Sequence, residues 1–333
     1  MKRVWSSVLL VCGLVVSAGL LASAARADGL PVLGVDVGGS GVATSAGDAR
    51  YVTLPAGRGT VVARVSPVGG RVLGSRVLRG SFTIPAVAYD GSASGLSADG
   101  RILVLIEPRQ SFPRAKTTFT VLSAPRLRPL RVVRLRGDFS FDAISPRGTL
   151  MYLIQYTVPT DPSRYLVRAY NLHTGRLLSK PVTDPREQTD KMRGSPITRT
   201  TSPDGRFAYT LYDGAGGTPF IHALDTTHQT AHCIDLDMLV GSTRLWQLRL
   251  TLTNHGGTLA VHKGNDVDAS IDTHSFRAIP VSPLASLSQQ GNHPNASTIP
   301  WTLLIVLSSV GALALLATLT LTLRRRQRPA TAQ

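Results

Sequence analysis

Two histidines, His228 and His232, lie four positions apart, which on a helix is the spacing of a metal-binding pair. Thr226, Thr227 and Thr230 surround them, however, and β-branched residues favour extended structure over helix. We therefore expect the two histidines to lie around a β-turn, where their rings do not converge on one ion. On this basis the sequence predicts no metal site here.

Two short acidic groups are the other candidates for metal binding. The first contains Asp266, Asp268 and Asp272, and the second contains Asp235 and Asp237. A calcium loop has denser oxygen ligands and a glycine at its bend, so we interpret both groups as solvated turn carboxylates.

Motifs that would identify a catalytic site or a bound cofactor are absent from the sequence. It contains no Gly-x-Ser-x-Gly elbow, no phosphate-binding glycine loop and no Cys-x-x-Cys pair. The sequence therefore predicts no catalytic residue and no cofactor, which favours a noncatalytic protein. An enzyme whose residues come from distant parts of the chain stays an alternative.

An arginine series is the most unusual chemical feature of the chain. Its members are Arg126, Arg128, Arg131, Arg134 and Arg136. Four of the five have even numbers, so an outer strand across this series would project part of it from one face. Two interpretations remain open: a charged edge that discourages aggregation between sheets, or a rim that binds anions.

Basic residues are concentrated in the first half of the chain. Between Arg50 and Arg136 there are 15 basic residues and only three acids, whereas the range 204–272 holds eight acids and four basic residues. A basic exterior could attract anionic lipid headgroups or anionic wall polymers. Alternatively, the use of 31 Arg and only five Lys reflects the codon bias of a GC-rich bacterial genome. Without a motif that combines aromatic and basic residues, nucleic acid is a poor partner.

The two ends of the chain predict a membrane topology. Residues 1–27 have a basic start, an apolar core and a small-residue end, which is typical of a secretory signal cleaved after Ala27, with an uncleaved anchor as the alternative. Residues 301–323 carry no charge and would span about 34 Å as a helix, enough to cross a bilayer. The basic segment 324–333 would stay in the cytoplasm. We expect a single-pass protein of the cell membrane whose amino-terminal domain is extracytoplasmic.

Residues 28–283 form the predicted extracytoplasmic domain. Cys233 is its only cysteine, so no disulfide can form within it, and we expect this side chain to be a small buried apolar group. Residues 284–300 are rich in Ser, Gln, Asn and Pro and read as a flexible stalk.

A turn pattern recurs five times along this domain. Its copies begin at Ser45, Ser97, Ser145, Ser202 and Thr253, with spacings of 52, 48, 57 and 51 residues. Ser or Thr in the first position can bond to the backbone two residues on, and a glycine closes the corner. In the last four copies this structural glycine is Gly100, Gly148, Gly205 or Gly256. In the second and third copies the run after the turn is apolar at both odd and even positions, which is typical of a strand that is covered on both faces.

A second turn follows the first one by 19 to 26 residues in every copy. Examples are the segments 66–71, 123–126, 171–176, 225–229 and 272–275. Two hairpins in about 50 residues give four strands per repeat, which is the blade of a β-propeller. The sequence therefore predicts an all-β domain of about five four-stranded blades.

The repeat resembles those of bacterial TolB-like, YVTN-type and WD-like propellers. Ser202-Pro-Asp-Gly-Arg206 looks like the opening of their hairpin, and Asn171-Leu-His-Thr-Gly175 looks like the turn after their third strand. The resemblance covers roughly residues 42–282 and implies a propeller fold and a tendency to bind proteins, without implying an activity. Because such rings often close by pairing strands from both termini, residues 32–37 are a candidate closing strand.

These features together predict a membrane-tethered, noncatalytic propeller that binds a protein or an anionic partner of the cell envelope. One alternative is an extracytoplasmic hydrolase or lyase with its site in the central channel. Another is an accessory subunit of a membrane complex. The sequence does not distinguish the oligomeric states.

Overall fold

A computed structural model describes residues 41–187 and 192–280 of the chain. The predicted signal peptide, closing strand, stalk, transmembrane helix and cytoplasmic tail all lie outside these residues. Among the residues described, no helix has the length and the apolar character needed to cross a bilayer. Short 3-10 turns are the helical elements of this part, and they cover Gly214–Gly216, Asp237–Leu239, Leu245–Gln247 and Asn254–Gly256.

The strands form five consecutive antiparallel sheets, which we call blades 1 to 5 in chain order. Blade 1 contains β1 (Val42–Ala43), β2 (Arg50–Ala56), β3 (Gly59–Val65) and β4 (Val72–Arg79). Blade 2 contains β5 (Ile102–Ile106), β6 (Lys116–Ser123) and β7 (Arg128–Arg136). Blade 3 contains β8 (Phe139–Ile144), β9 (Leu150–Tyr156), β10 (Tyr165–Asn171) and β11 (Arg176–Val182). Blade 4 contains β12 (Pro196–Thr201), β13 (Phe207–Tyr212), β14 (Phe220–Asp225) and β15 (Thr230–Asp235). Blade 5 contains β16 (Arg249–Thr253), β17 (Thr258–Lys263), β18 (Asp266–Asp272) and β19 (Arg277–Pro280).

Blade 2 is the irregular one, since its sheet has three strands. The inner position is taken by a segment that pairs with β5 only at isolated points. Leu96 bridges Leu103, and the N–H of Val104 donates to the carbonyl of Gly95 over 2.7 Å. The other four blades are regular meanders in which each strand pairs with the next.

The fold is an all-β propeller, as the sequence predicted. An apolar cluster lies between each pair of consecutive blades, from blades 1 and 2 through to blades 4 and 5. Val62 of blade 1, for example, shares a cluster with Leu122 of blade 2, and Leu211 of blade 4 shares one with Val261 of blade 5. Each sheet therefore hides its apolar faces against its neighbours.

The strands that follow the first turn in blades 2 and 3 are covered on both faces, which confirms the prediction from their continuous apolar runs, whereas β2 of blade 1 and β17 of blade 5 mix buried with more exposed residues. The first side chain of β5 and the last two side chains of β9 are partly exposed, and all the other side chains of these two strands are buried. Outer strands are different: in β4 and β7 only Leu78 and Val133 are buried. Burial thus decreases from the middle of each blade to its rim.

The first turn has the same backbone bonds in blades 2, 3 and 4. The glycine N–H donates to the carbonyl of the opening serine over 2.8 Å in all three blades. The serine hydroxyl, however, accepts from the N–H five residues on, as Ser202 does from Phe207 over 2.8 Å. The expected bond to the backbone two residues on is made by the aspartate instead, since Asp204 accepts from the N–H of Arg206 over 3.0 Å.

The first turns of blades 1 and 5 are displaced by one residue from the predicted alignment. In blade 1, Thr44 takes the role expected for Ser45, because its hydroxyl accepts from the N–H of Ala49 and its carbonyl from that of Gly47. In blade 5 the turn begins at Asn254, and the N–H of Gly257 closes it. Two adjacent residues in each blade, Thr44 with Ser45 and Thr253 with Asn254, carry a hydroxyl or an amide that fits the pattern. The sequence alone therefore did not determine which of the two begins the turn.

First turns from different blades contact one another on one face of the propeller. The Ser45 hydroxyl donates to the carbonyl of Ala98 over 3.1 Å, and the N–H of Asp99 donates to the carbonyl of Pro146 over 3.0 Å. A Cβ atom on Gly205 would lie only 2.5 Å from the Cβ of Ala98. We call this face the turn face.

The second turn is fixed by an aspartate or asparagine in its first position. The side chains of Asn171, Asp225 and Asp272 each accept hydrogen bonds from the backbone N–H groups two and three residues on. Thr226 and Thr273 then tie the second turn to the first, since their hydroxyls donate to the carbonyls of the first-turn glycines. Both turns of a blade therefore lie on the turn face.

Two glycine substitutions separate backbone strain from packing between blades. Gly100 and Gly205 have φ angles of +67° and +74°, but a Cβ atom would meet nothing within 4 Å at Gly100. We expect Gly100→Ala to cost about 1 kcal/mol of unfolding free energy and Gly205→Ala to cost at least about 3 kcal/mol. Urea unfolding followed by circular dichroism measures both, and equal losses would contradict the turn-face contact.

Candidate functional site

The segment 82–97, which connects blades 1 and 2, extends to the inner strands of more distant blades. The N–H groups of Tyr89 and Asp90 donate to the carbonyls of Pro196 and Ile197 on β12, over 2.9 and 3.1 Å. Asp90 also lies 3.9 Å from the guanidinium of Arg249 on β16. The segment between blades 1 and 2 thus reaches the inner strands of blades 4 and 5.

A buried polar pair joins the inner strands of blades 3 and 4. The guanidinium of Arg199 donates to the carboxylate and the carbonyl of Asp142, and its Nε donates to the Thr210 hydroxyl over 2.8 Å. The side chains of both partners are at least 96% buried, so each charge depends on the other for its solvation. The pair positions the two inner strands.

His222 of β14 lies opposite Thr210 of β13, which in turn lies opposite Arg199 of β12. The His222 side chain is 1% exposed. Burial lowers the pKa of this imidazole to about 4, partly offset by the negative charge of Asp142. Its Nδ1 has no hydrogen-bond partner in the structure. At neutral pH the ring is uncharged and enclosed, which makes it a structural group with no access to a substrate.

Two hollows near the propeller centre were candidates for a channel active site. The cavity beside Asp142, Tyr165 and Tyr212 has a volume of about 20 Å³, which is room for one water molecule. A hollow of about 400 Å³ opens on the turn face, but the described residues that line it are all uncharged, among them Ser45 and Thr201. Neither hollow offers an accessible acid or base, which general acid–base catalysis requires.

Within residues 41–187 and 192–280, one cluster of metal-type ligands lies at the outer edge of blade 4. Carboxylate and thiol atoms of Asp184, Glu187 and Cys233 lie within 4.8 Å of one another. The Asp184 carboxylate, however, accepts from the Arg186 guanidinium at 2.5 Å and from the Cys233 N–H at 2.8 Å. Burial would raise the pKa of Asp184, but these hydrogen bonds outweigh it and lower the pKa to about 2. The arrangement is an ion pair that anchors the chain after β11, and Cys233 is half-buried beside it.

His228 and His232 point to different partners, as their turn location predicted. His228 lies in the β14–β15 turn with its Nδ1 at 3.0 Å from Asp225, while the His232 ring stacks on Phe276 with centroids 4.1 Å apart. Asp225 also accepts from Arg206 over 2.7 Å. The acidic candidates are exposed on the ends of blades 4 and 5, at Asp235, Asp237, Asp266, Asp268 and Asp272.

The arginine series lies on and beside β7, the outer strand of blade 2. Arg126 is in the turn before the strand, and the other four arginines are exposed along it. A β-bulge between the partners of Val121 and Leu122 changes the predicted side-chain alternation. As a result Arg128 faces the same side as Arg131, whereas Arg134 and Arg136 face the other side. The prediction that arginines with even numbers share one face was therefore wrong for Arg128. Pro129 is the residue that could have indicated the bulge, since proline in a strand marks an edge or a bulge.

The side of blade 2 that carries Arg134 and Arg136 faces blade 1. Thr118, the β6 partner of Arg134, has the same parity as Leu122, and Leu122 packs against Leu78 of β4. Arg76 lies two residues before Leu78 and shares its face. Arginines from two neighbouring blades thus line the outer mouth of one interface between blades, which sequence reasoning did not predict.

We call the outer strands β4 and β7 together the basic edge. Its exposed arginines are Arg76, Arg79, Arg128, Arg131, Arg134 and Arg136. Across the residues described, none of these six guanidinium groups forms a salt bridge with a carboxylate. Arg131 makes a long hydrogen bond, 3.5 Å, to the carbonyl of His173 in blade 3. The charges of this edge are accessible to a partner.

Exposed aliphatic side chains alternate with these arginines. Their exposed fractions are 59% for Val72, 39% for Leu73, 69% for Val77, 45% for Leu130 and 43% for Val132. A second exposed apolar group, Met238, Val240 and Trp246, lies on the connection between blades 4 and 5. Sequence reasoning missed both groups, because alternation alone does not tell which apolar side chains remain uncovered.

Comparisons with known proteins identify no family and no close relative of this chain. No protein-family profile matches the chain, and no curated protein matches it. Among solved structures, the chain is similar to hydrazine synthase of Kuenenia stuttgartiensis, with 14% identity over 79% of this chain and 69% of that one and a TM-score of 0.43. It is also similar to TolB from Acinetobacter baumannii, with 12% identity over 72% of this chain and 53% of that one and a TM-score of 0.39.

A third similar structure is the β-propeller domain of Cps50 (Swd1) from Myceliophteria thermophila, with 10% identity over 73% of this chain and 65% of that one and a TM-score of 0.41. The chain thus corresponds to about half the length of TolB. At these scores the similarities carry no functional argument. The propeller fold rests on the chain's own blades.

Replacement of His222 tests whether its imidazole ring is buried in the neutral form. Because the pKa is about 4 in the folded protein and about 6.5 in the unfolded chain, the unfolded chain binds the proton first as the pH falls. Stability from the neutral ring is therefore complete above pH 6.5 and decreases between pH 6.5 and 4, by up to about 3 kcal/mol. We expect His222→Gln to flatten the pH dependence of the unfolding free energy in this range.

The control for His222→Gln is His173→Gln, which removes an exposed histidine from the β10–β11 turn. Urea titrations at several pH values between 7 and 4 measure the unfolding free energy of all three proteins. A His222→Gln profile parallel to that of the unsubstituted protein would show that the ring is not buried in its neutral form.

Proposed function

We propose that this propeller is a noncatalytic binding module of the cell envelope, and that it binds an anionic partner through the basic edge. The observation that carries the proposal is the set of six exposed arginines on β4 and β7 without carboxylate partners. Charges on an edge strand also discourage aggregation between sheets, but β7 carries four arginines with no acidic residue among them.

The centre of the molecule supports a noncatalytic role. Its buried groups are already paired or enclosed, as Arg199 with Asp142 and the neutral His222 illustrate. The accessible hollow on the turn face offers hydroxyl groups without a base to activate them. Binding at the rim needs none of these groups.

The distribution of charge supports an anionic partner in preference to a neutral one. Positive potential from neighbouring guanidinium groups adds where the outer strands of blades 1 and 2 meet, and this increases both encounter rate and affinity for anions. Arginine also pairs with phosphate and carboxylate groups through two parallel hydrogen bonds. The predicted span at residues 301–323 would confine this edge to the membrane surface.

Removal of three charges from the basic edge tests the proposal. The variant Arg76→Gln, Arg134→Gln, Arg136→Gln changes exposed side chains, so its fold is expected to be retained. Binding of the full chain, in a neutral detergent, to inorganic polyphosphate measures the affinity at low salt. We expect a loss of roughly 10- to 100-fold, because each charge near a polyanion contributes on the order of 1 kcal/mol.

A second variant controls for net charge. Arg176→Gln, Arg244→Gln, Arg277→Gln also removes three exposed arginines, but from blades 3 and 5 and the connection before blade 5. We expect this variant to retain most of the affinity. If both variants lose polyphosphate binding equally, net charge alone is responsible and the proposed site is wrong.

A further inference from the structure

We propose that the partner of the basic edge is the surface of an anionic lipid bilayer, with the aliphatic side chains of β4 and β7 entering the headgroup layer. This inference rests on the proposed function, because it assigns the partner of the same surface. It places the rim of blades 1 and 2 against the membrane, so that the propeller lies on its side.

The alternation of charge and aliphatic surface distinguishes a bilayer from a dissolved polyanion. A dissolved polyanion is attracted by the arginines alone and would leave Val77 and Val132 in water. At a bilayer the guanidinium groups bind lipid phosphates while neighbouring apolar side chains enter the boundary between headgroups and acyl chains. The five exposed aliphatic residues of the two strands, whose exposed fractions reach 69% at Val77, fit the second case.

Outer strands have the shape that such a contact needs. β7 contains nine residues and is therefore about 30 Å long, and β4 runs along the adjacent rim with eight residues. Leu130 projects from the bulge, where it has no partner in the ladder with β6. The bulge turns Arg128 and Arg131 to one side of β7 and Arg134 and Arg136 to the other, so guanidinium groups can bind lipid phosphates on both sides of the strand.

Exposed acidic residues on other blades favour the same orientation of the propeller on an anionic surface. Asp266 and Asp268 are exposed on β18 of blade 5, and Asp235 and Asp237 are exposed at the end of blade 4. An anionic surface repels these carboxylates and attracts the basic edge. The basic range 50–136 of the sequence lies in blades 1 and 2, and the range 204–272, which holds more acids than basic residues, lies in blades 4 and 5. The two kinds of charge are therefore on different blades.

The length of chain after the described residues also favours the bilayer over a dissolved partner. Blade 5 ends at Pro280, and the predicted transmembrane span begins at Trp301. The 20 residues between them can reach at most about 70 Å. A surface within that distance is present at a high effective concentration, so even a weak contact would be populated.

Hydrogen–deuterium exchange of the full chain tests the inference. The protein is reconstituted in bilayers of phosphatidylcholine alone and in bilayers that also contain phosphatidylglycerol. We expect exchange in β4 and β7 to slow about tenfold in the anionic bilayers, while the outer strands β11 and β19 do not change. Protection that is equal in both bilayers, or absent from both, would overturn the inference.

A double variant distinguishes this inference from the proposed function. Val77→Thr with Val132→Thr keeps the β-branched shape and every charge but removes the apolar contact. We expect these substitutions to reduce the protection at β4 and β7 in anionic bilayers at least about threefold without changing polyphosphate binding. Unchanged protection in this variant overturns the entry of apolar side chains. A protein that binds polyphosphate through the basic edge but gains no protection on anionic bilayers overturns the bilayer partner and leaves the proposed function intact.

Discussion

Blades 2, 3 and 4 of this protein each have two apolar faces, and covering both of them is the constraint on which the rest of the structure depends. Strands such as β5 and β9 have buried side chains on both sides, so neither face of the sheet can remain in water. Apolar clusters between all consecutive blades satisfy this requirement. The first turns are then brought together on the turn face, where Gly205 leaves room for Ala98.

The same constraint decides where the protein can carry charge. Charged side chains buried in the propeller are paired with the opposite charge, as Arg199 is with Asp142 and Arg109 is with Asp138. Outer strands have no neighbour beyond them, so β4 and β7 can hold six arginines without carboxylate partners. A rim that is both basic and aliphatic is consequently the most distinctive surface among the residues described, and the proposed contact with an anionic bilayer follows from it.

The segment 82–97 makes the centre of this propeller irregular, because it takes the place of a regular inner strand in blade 2. In a regular blade the inner strand pairs with the next strand along its whole length, but here the segment pairs with β5 only at isolated points and extends to β12. The space that remains beside Asp142 has a volume of about 20 Å³. A second hollow of about 400 Å³ opens from the centre onto the turn face, and the described residues that line it are uncharged.

Local chemistry in the sequence determined the repeat, the two turns per blade, the doubly covered middle strands and the exposed outer strands. These features depend on residues close in sequence, such as Ser202, Asp204 and Gly205 within one turn, and each turn type requires particular side chains and backbone angles. Tertiary structure decided the rest. The bulge that turns Arg128 away from Arg134, the packing of Arg76 beside blade 2, and the long-range bond of Arg199 to Asp142 depend on which strands become neighbours. Such contacts join residues as many as 57 positions apart, and no local pattern specifies them because their energies exist only once the blades have packed together.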